Sequence, residues 1–102
     1  METVTAYLGL GTNLGRREQN LSQALQSLAN SPDLQIVRSS SIYETAPWGY
    51  TAQPSFLNCA VEVRTKLSPV ELLALAKYIE SDLGRQENFR YGLRLIDIDI
   101  LL

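Results

Sequence analysis

The sequence of 102 residues contains no histidine, and only one cysteine, one tryptophan and one methionine. The missing histidine removes both the commonest general base near neutral pH and the commonest metal ligand. Any chemistry must therefore rest on carboxylates, cations and positioning. One cysteine cannot close an internal disulfide, and Cys59 stands within an apolar alternation, so it reads as a small core residue of a protein in a reducing cytoplasm. Long apolar runs are absent too. Nothing approaches the ~20 residues of a membrane span, and the N-terminus carries no apolar stretch behind basic residues such as a signal peptide needs. The net charge is only −2, which gives no general attraction to nucleic acid or anionic membranes. A polyanionic ligand would have to meet a local cluster, and Arg85, Arg90 and Arg94 form one. With 45% hydrophobic and 20% charged residues and no low-complexity tract, the chain reads as one globular domain over residues 1–102. That length buries roughly 60% or more of the unfolded surface.

What is present is most informative near the end, at Arg94-Leu95-Ile96-Asp97-Ile98-Asp99-Ile100-Leu101-Leu102. Ile96, Ile98 and Ile100 alternate with Asp97 and Asp99, the period of a half-buried strand. Its dry face is isoleucine. Its wet face carries two carboxylates roughly 7 Å apart along the strand, near enough to share one divalent cation or hold two adjacent ones. Any amphipathic strand needs polar residues on its wet side, so the pair gains meaning only if other residues converge on it.

Along the chain, residues 3 to 11 alternate as a first strand, with Val4, Ala6, Leu8 and Leu10 on one face and Thr5, Tyr7, Gly9 and Gly11 on the other. Leu14, Leu21, Ala24, Leu25 and Leu28 mark a helix over about 16 to 29, ended by Asn30, Ser31 and Pro32. A serine-rich second strand with loose alternation is expected from 34 to 45. Residues 46 to 55 form a Pro- and Gly-punctuated loop that carries Trp48 and Tyr50, a candidate lid or ligand wall. The third strand, 56 to 64, sets Leu57, Cys59, Val61 and Val63 against Phe56, Asn58, Ala60, Glu62 and Arg64. Ser68-Pro69-Val70-Glu71 is a capping box with proline at the first helical position, and it opens a second helix. Leu72, Leu75, Ala76, Ile79 and Leu83 give its buried stripe, and Gly84 is its expected C-cap. A charged loop from 85 to 93 leads to the fourth strand.

This order, β-α-β-β-α-β, predicts an α+β, ferredoxin-like fold: a four-stranded antiparallel sheet with both helices on one face. The opposite faces of the strands then lie together on an open surface that collects Phe56, Asn58, Asp97 and Asp99. Trp48 stands beside them, and Arg85 and Arg94 at the edge. Paired carboxylates suit magnesium, which keeps several waters and is completed by substrate phosphates. The arginines suit those phosphates, although they also read as a solvated loop balanced by Glu80, Asp82 and Glu87. Lys77 and Glu80, three apart on one helix, form at least a surface pair. The run from Gly9 to Gly15 approaches a dinucleotide fingerprint, but its G-x-G-x-x-x-G spacing is too long and the Gly-Lys-Ser/Thr of a P-loop is missing. Its glycines are assigned to turn geometry and the lead into the helix.

Several segments together resemble the 6-hydroxymethyl-7,8-dihydropterin pyrophosphokinases of folate biosynthesis. They are Leu10-Gly11-Thr12-Asn13-Leu14-Gly15, Tyr43-Glu44-Thr45-Ala46-Pro47-Trp48-Gly49, Gln53-Pro54-Ser55-Phe56-Leu57-Asn58, Ile79-Glu80-Ser81-Asp82-Leu83-Gly84-Arg85 and the run from Gly92 to Leu101. Each is weak alone, but in this order they make the match specific. The resemblance implies an ATP-dependent enzyme that transfers a pyrophosphoryl group to a reduced pterin, with two magnesium ions on Asp97 and Asp99. It implies that Phe56 stacks on the pterin, that Asn58 hydrogen-bonds its edge, and that backbone around Thr45, Ala46 and Trp48 reads the remaining polar atoms. Arg85 and Arg94 would contact the triphosphate as catalytic residues. Lys77, Glu80 and Ile100 would lie on the nucleotide side.

The partners implied are small molecules alone, ATP and the pterin, with no nucleic acid and no membrane. The protein is expected to be a monomer, with an exposed sheet edge as the route to any association. The family pattern is not matched throughout. Lys77 stands where relatives often carry glutamine, Tyr91 replaces a loop tryptophan, and the loop from 86 to 91 is short. The family also continues beyond Leu102 with a second pterin-stacking aromatic, a histidine and further arginine. The chain is therefore expected to be a truncated form with weak or no turnover. The rival reading is a non-catalytic ferredoxin-like module that binds a ligand or nucleic acid on its open sheet, as RNA-recognition domains of the same strand order do.

Overall fold

A computed structural model of the chain describes residues 2–46, 55–86 and 95–101, and of residues 85 and 86 the backbone course alone. The elements are β1 (Val4–Thr12), α1 (Arg17–Ala29), β2 (Leu34–Ser39), β3 (Tyr43–Thr45), β4 (Phe56–Thr65), α2 (Pro69–Gln86) and β5 (Asp97–Leu101). The sheet runs β2-β4-β1-β5, with β3 also on β4, and all pairings are antiparallel. This is the ferredoxin-like order. The helices lie side by side, α1 against β1, β2 and β4, and α2 along β5.

The core is where the strand alternation and the helical stripes predict it. Leu8, Leu10, Val61, Val63 and Ile98 meet Leu21, Ala24 and Leu28 of α1 and Leu72, Ala76, Ile79 and Leu83 of α2. Burying a side chain of this size stabilises the fold by about 1.5–3 kcal/mol. A core of this kind secures the sheet from one side only, so the opposite face is free to carry residues that add little to stability.

The second strand departs from expectation. It is broken into β2 and β3, so the sheet has five strands where four are expected. The physical cause lies in the serines. The Ser40 hydroxyl accepts the Ala60 N–H at 2.9 Å, and the Ser40 N–H donates to the Ala60 carbonyl at 2.8 Å. A side chain thus supplies a ladder bond, and the backbone is free to leave the strand and rejoin it. A register shift between Ile36 and Arg38 adds a bulge just before.

Gly84 does not end α2, which runs on to Gln86. The left-handed backbone of a glycine cap is found, among the described glycines, at Gly15 alone, with φ 62°. Gly15 makes the turn into α1. The packing of Ile79 and Leu83 outweighs the roughly 0.5–1 kcal/mol that a helical glycine costs. The capping box holds as expected: the Glu71 carboxylate accepts the Ser68 N–H at 2.8 Å, and the Ser68 hydroxyl accepts the Glu71 N–H at 3.2 Å.

Candidate functional site

Register builds the site across the open face of the sheet. Gly11 of β1 stands opposite Asn58 of β4 on one side and Asp97 of β5 on the other. Tyr43 of β3 lies beyond Asn58. One pair further along, Gly9 stands between Ala60 and Asp99. Two glycines therefore replace side chains in the middle of the sheet, between an amide wall and a carboxylate wall. Gly9 and Gly11 open a floor as strand residues, as their place in the first strand's alternation predicts, and the turn reading of the glycine run is corrected for these two.

The floor is tight. A Cβ on Gly11 would sit 2.9 Å from Asn58 Oδ1, and one on Gly9 would touch Leu101 at 3.4 Å. The resulting cleft has a volume of about 430 Å³, and Phe56, Asn58, Asp97 and Asp99 all line it. The expected convergence of these four is observed. Asn58 is oriented by a 2.8 Å hydrogen bond from its Nδ2 to Thr45 Oγ1. Among the described residues its other amide N–H and its carbonyl oxygen remain to face a ligand.

Thr45 ends β3 opposite Phe56, and Ala46 follows it, exposed. Ile100 turns toward the core side, where it packs against the buried cluster. Lys77 and Glu80 form an ion pair of 3.3 Å on α2. Glu80 does more than pair: its Oε2 accepts the Ile98 N–H at 2.6 Å, and its side chain is only 10% exposed. Trp48, Tyr50, Arg90 and Arg94 lie outside the described residues, and so does the side chain of Arg85 in the last turn of α2.

Sequence reasoning missed three supports. Thr12, 1% exposed, donates from its hydroxyl to the Leu95 carbonyl at 2.5 Å. Asn20, 2% exposed, donates from Nδ2 to Thr12 Oγ1 at 3.2 Å and to the Leu14 carbonyl at 2.7 Å. This buried network ties α1, β1 and the lead-in of β5 together. A signal existed, since Asn20, Ala24 and Leu28 recur at four-residue intervals on the buried stripe. Arg17 is the third support: its Nη1 donates to Glu44 Oε2 and to the Ser55 carbonyl, both at 2.8 Å. It ties β3 to the residue that leads into β4.

Among the described residues no three histidine, cysteine, aspartate or glutamate side chains group as a metal site. What the cleft offers a cation is the Asp97 and Asp99 pair, hard oxygen donors that fit magnesium when phosphates and water complete the shell. Cys59 is buried and free, and burial pushes its thiol pKa up, away from nucleophilic use.

Comparison with known proteins identifies the family. Residues 7–102 match the family model described as 7,8-dihydro-6-hydroxymethylpterin-pyrophosphokinase. The chain is 50% identical over 97 residues to a 2-amino-4-hydroxy-6-hydroxymethyldihydropteridine pyrophosphokinase of Bacillus subtilis, covering 95% of this chain and 58% of the relative. It is 44% identical over 98 residues to the protein of the same name from Aquifex aeolicus, covering 96% of this chain and 60% of that one. It is 51% identical over 94 residues to a mitochondrial folate synthesis bifunctional protein of Pisum sativum, covering 92% of this chain and 18% of the relative. The chain thus spans about three fifths of the bacterial relatives' length. Among solved structures, a dinuclear metal-binding peptidase of the M20 family from Bacillus subtilis superposes with a TM-score of 0.53 at 14% identity. The superposition covers 99% of this chain and 26% of that one, a likeness of fold alone. Among the described residues no helix is long and apolar enough to cross a membrane.

Proposed function

The chain belongs to the 7,8-dihydro-6-hydroxymethylpterin-pyrophosphokinase family, and from that premise we propose that its open-face cleft takes a reduced pterin and the phosphates of Mg-ATP. The reaction is transfer of the pyrophosphoryl group of ATP to the pterin hydroxymethyl oxygen. That oxygen attacks the β-phosphorus, the bond from this phosphorus to the α,β-bridging oxygen breaks, AMP departs, and the hydroxyl proton passes to solvent. The single observation that carries the reading is the convergence of Phe56, Asn58, Asp97 and Asp99 on one cleft over a glycine floor.

Each residue has a role that its chemistry supports. Phe56 offers a ring face to the flat pterin. Asn58, held by Thr45, presents one donor and one acceptor to the pterin edge. Backbone at Thr45 and Ala46, with Trp48, completes pterin recognition. Asp97 and Asp99 would hold two magnesium ions, which would supply charge neutralisation on the phosphates. Arg85 and Arg94 contact the triphosphate, while Lys77, Glu80 and Ile100 stand on the nucleotide side. Phosphoryl transfer of this kind asks for positioning and charge neutralisation more than a strong base, so the lack of histidine does not oppose the reading. A reducing cytoplasm is in keeping with the buried free thiol of Cys59, and the chain is taken to act as a monomer.

One observation favours a second reading. Tyr7 and Tyr43 are 43% and 60% exposed on the same open face as Phe56, a set of aromatics such as RNA-binding sheets display. The two aspartates and the net charge of −2 oppose it. The test is a thermal shift of the 102-residue chain. Mg-ATP at a hundredfold excess over its dissociation constant should stabilise it by about 2.7 kcal/mol, and Asp97→Asn with Asp99→Asn should abolish the shift. A shift with a single-stranded RNA oligomer and none with Mg-ATP would overturn the proposal.

A further inference from the structure

The strand that carries the carboxylate pair is poorly secured by the sheet itself. β5 has five residues and, among the described residues, lies at the edge and pairs with β1 alone. In an antiparallel ladder, opposed residues alternate between those that exchange hydrogen bonds and those that do not. The Ile98 N–H goes to Glu80, so the Leu10–Ile98 pair is one that does not exchange. The flanking Gly11–Asp97 and Gly9–Asp99 pairs are then the bonded ones. The Ile98 N–H points out of the sheet edge, midway between the two aspartates, where an edge strand normally meets water or another strand.

Glu80 reaches that amide from α2. A carboxylate that is 10% exposed on a helix whose neighbouring stripe is apolar is destabilised by desolvation unless charge and hydrogen bonds answer it. Lys77 answers the charge at 3.3 Å, and Ile98 answers with a short bond of the charge-assisted kind. Among the described residues Glu80 joins no cluster of metal-ligating side chains. Its bond is to the backbone between the two ligands.

We infer that Glu80 is a positioning residue for the metal site: its carboxylate clamps the outer edge of β5 through the Ile98 amide and so sets Asp97 and Asp99 over the glycine floor. The clamp works with a second anchor, the Thr12 hydroxyl bond to the Leu95 carbonyl, which holds the strand at its start. Between them, the short edge strand is tied on both sides of the first aspartate before any cation arrives. Two like charges on a fraying strand would spread apart, whereas a tied strand presents them at fixed spacing. Partners that orient metal ligands in this way are worth about 10–100-fold in metal affinity. The inference rests on the metal reading of Asp97 and Asp99.

The test compares Glu80→Gln, which keeps an acceptor at the same reach and removes the charge, with Glu80→Met, which keeps the volume and removes the acceptor. Two readouts are taken on the full chain: amide exchange at Ile98 without metal, and affinity for Mn2+ measured by its electron paramagnetic resonance. Glu80→Met should speed Ile98 exchange at least about tenfold and weaken Mn2+ binding about tenfold. Glu80→Gln should stay near wild type in both. Wild-type Mn2+ affinity in Glu80→Met, or equal losses in both variants, would overturn the clamp. If Glu80→Met does not fold, Glu80→Asp, charged but a methylene short of Ile98, carries the same expectation and the same refutation. Should the unsubstituted chain bind no Mn2+, the metal reading itself fails and the inference with it. That outcome differs from failure of the clamp alone, in which the unsubstituted chain binds Mn2+ and Asp97→Asn loses it.

Discussion

Replacing Thr12 by valine removes one hydroxyl and changes almost nothing else. The two side chains have the same shape, so no cavity opens and the strand propensity of β1 is kept. What is lost is the donor to the Leu95 carbonyl and the acceptor for Asn20 Nδ2. Both lost partners belong to a buried network, with Thr12 and Asn20 at 1% and 2% exposure and Leu95 at 2%. A buried polar group left without its partner costs about 1–3 kcal/mol. Asn20 retains the Leu14 carbonyl, which lowers its share. Thr12→Val should therefore destabilise by about 2–4 kcal/mol, while Thr12→Ser, which keeps the hydroxyl and sheds a methyl, should cost about 1 kcal/mol. For a domain of this size the valine variant should melt on the order of 10–25 °C lower. The assay is urea unfolding followed by far-ultraviolet circular dichroism, with the midpoint moving and the slope unchanged. A valine variant no less stable than the serine variant would refute the network. A cycle with Asn20→Leu adds a sharper check, because residues in one network should show a coupling of at least about 0.5 kcal/mol.

Gly11→Ala should leave the fold intact and damage ligand binding. The added Cβ meets the far end of the Asn58 side chain at 2.9 Å, so the amide swings away and loses Thr45. Pterin affinity measured by calorimetry should fall by about tenfold, one ligand hydrogen bond of about 1.4 kcal/mol, and unchanged affinity would show that Asn58 does not read the ligand. Ser68→Ala should flatten part of the acid limb of the stability profile. Hydrogen bonds from the Ser68 backbone and side chain hold the Glu71 pKa below its ordinary value. A carboxylate depressed in the folded state contributes stability that is present above its unfolded pKa and lost as pH falls through the folded one. Melting scans across the carboxylate range should show that loss in the unsubstituted chain and a smaller one in the variant.

The sequence by itself determined the order of elements, the capping box at Ser68 and Glu71, and the two faces of β1, β4 and β5. These are readable because they are local. A strand sends alternate side chains to opposite faces, and a helix returns every three or four residues, so Leu8, Leu10, Ile98 and Ile79 declare their burial without knowledge of any partner. The candidates Phe56, Asn58, Asp97 and Asp99 followed from the same parity, once the strand order put their faces on one side.

What only the tertiary structure decided depends on pairing between distant segments. Gly11 is a floor because register sets Asn58 and Asp97 on either side of it, and in sequence it is only one more residue on the outer face of a strand. The break between β2 and β3 depends on the Ser40 hydroxyl finding Ala60. Asn20 and Thr12 are ordinary polar residues until Leu95 is brought to them across the sheet. Glu80 reads as half of a surface pair with Lys77 until β5 is laid along α2, and then its carboxylate meets the one amide between the two aspartates. Periodicity is carried by neighbouring residues, whereas a hydrogen bond across many residues exists only after the chain has folded, so the carboxylate pair could be named from the sequence and what holds it in place could not.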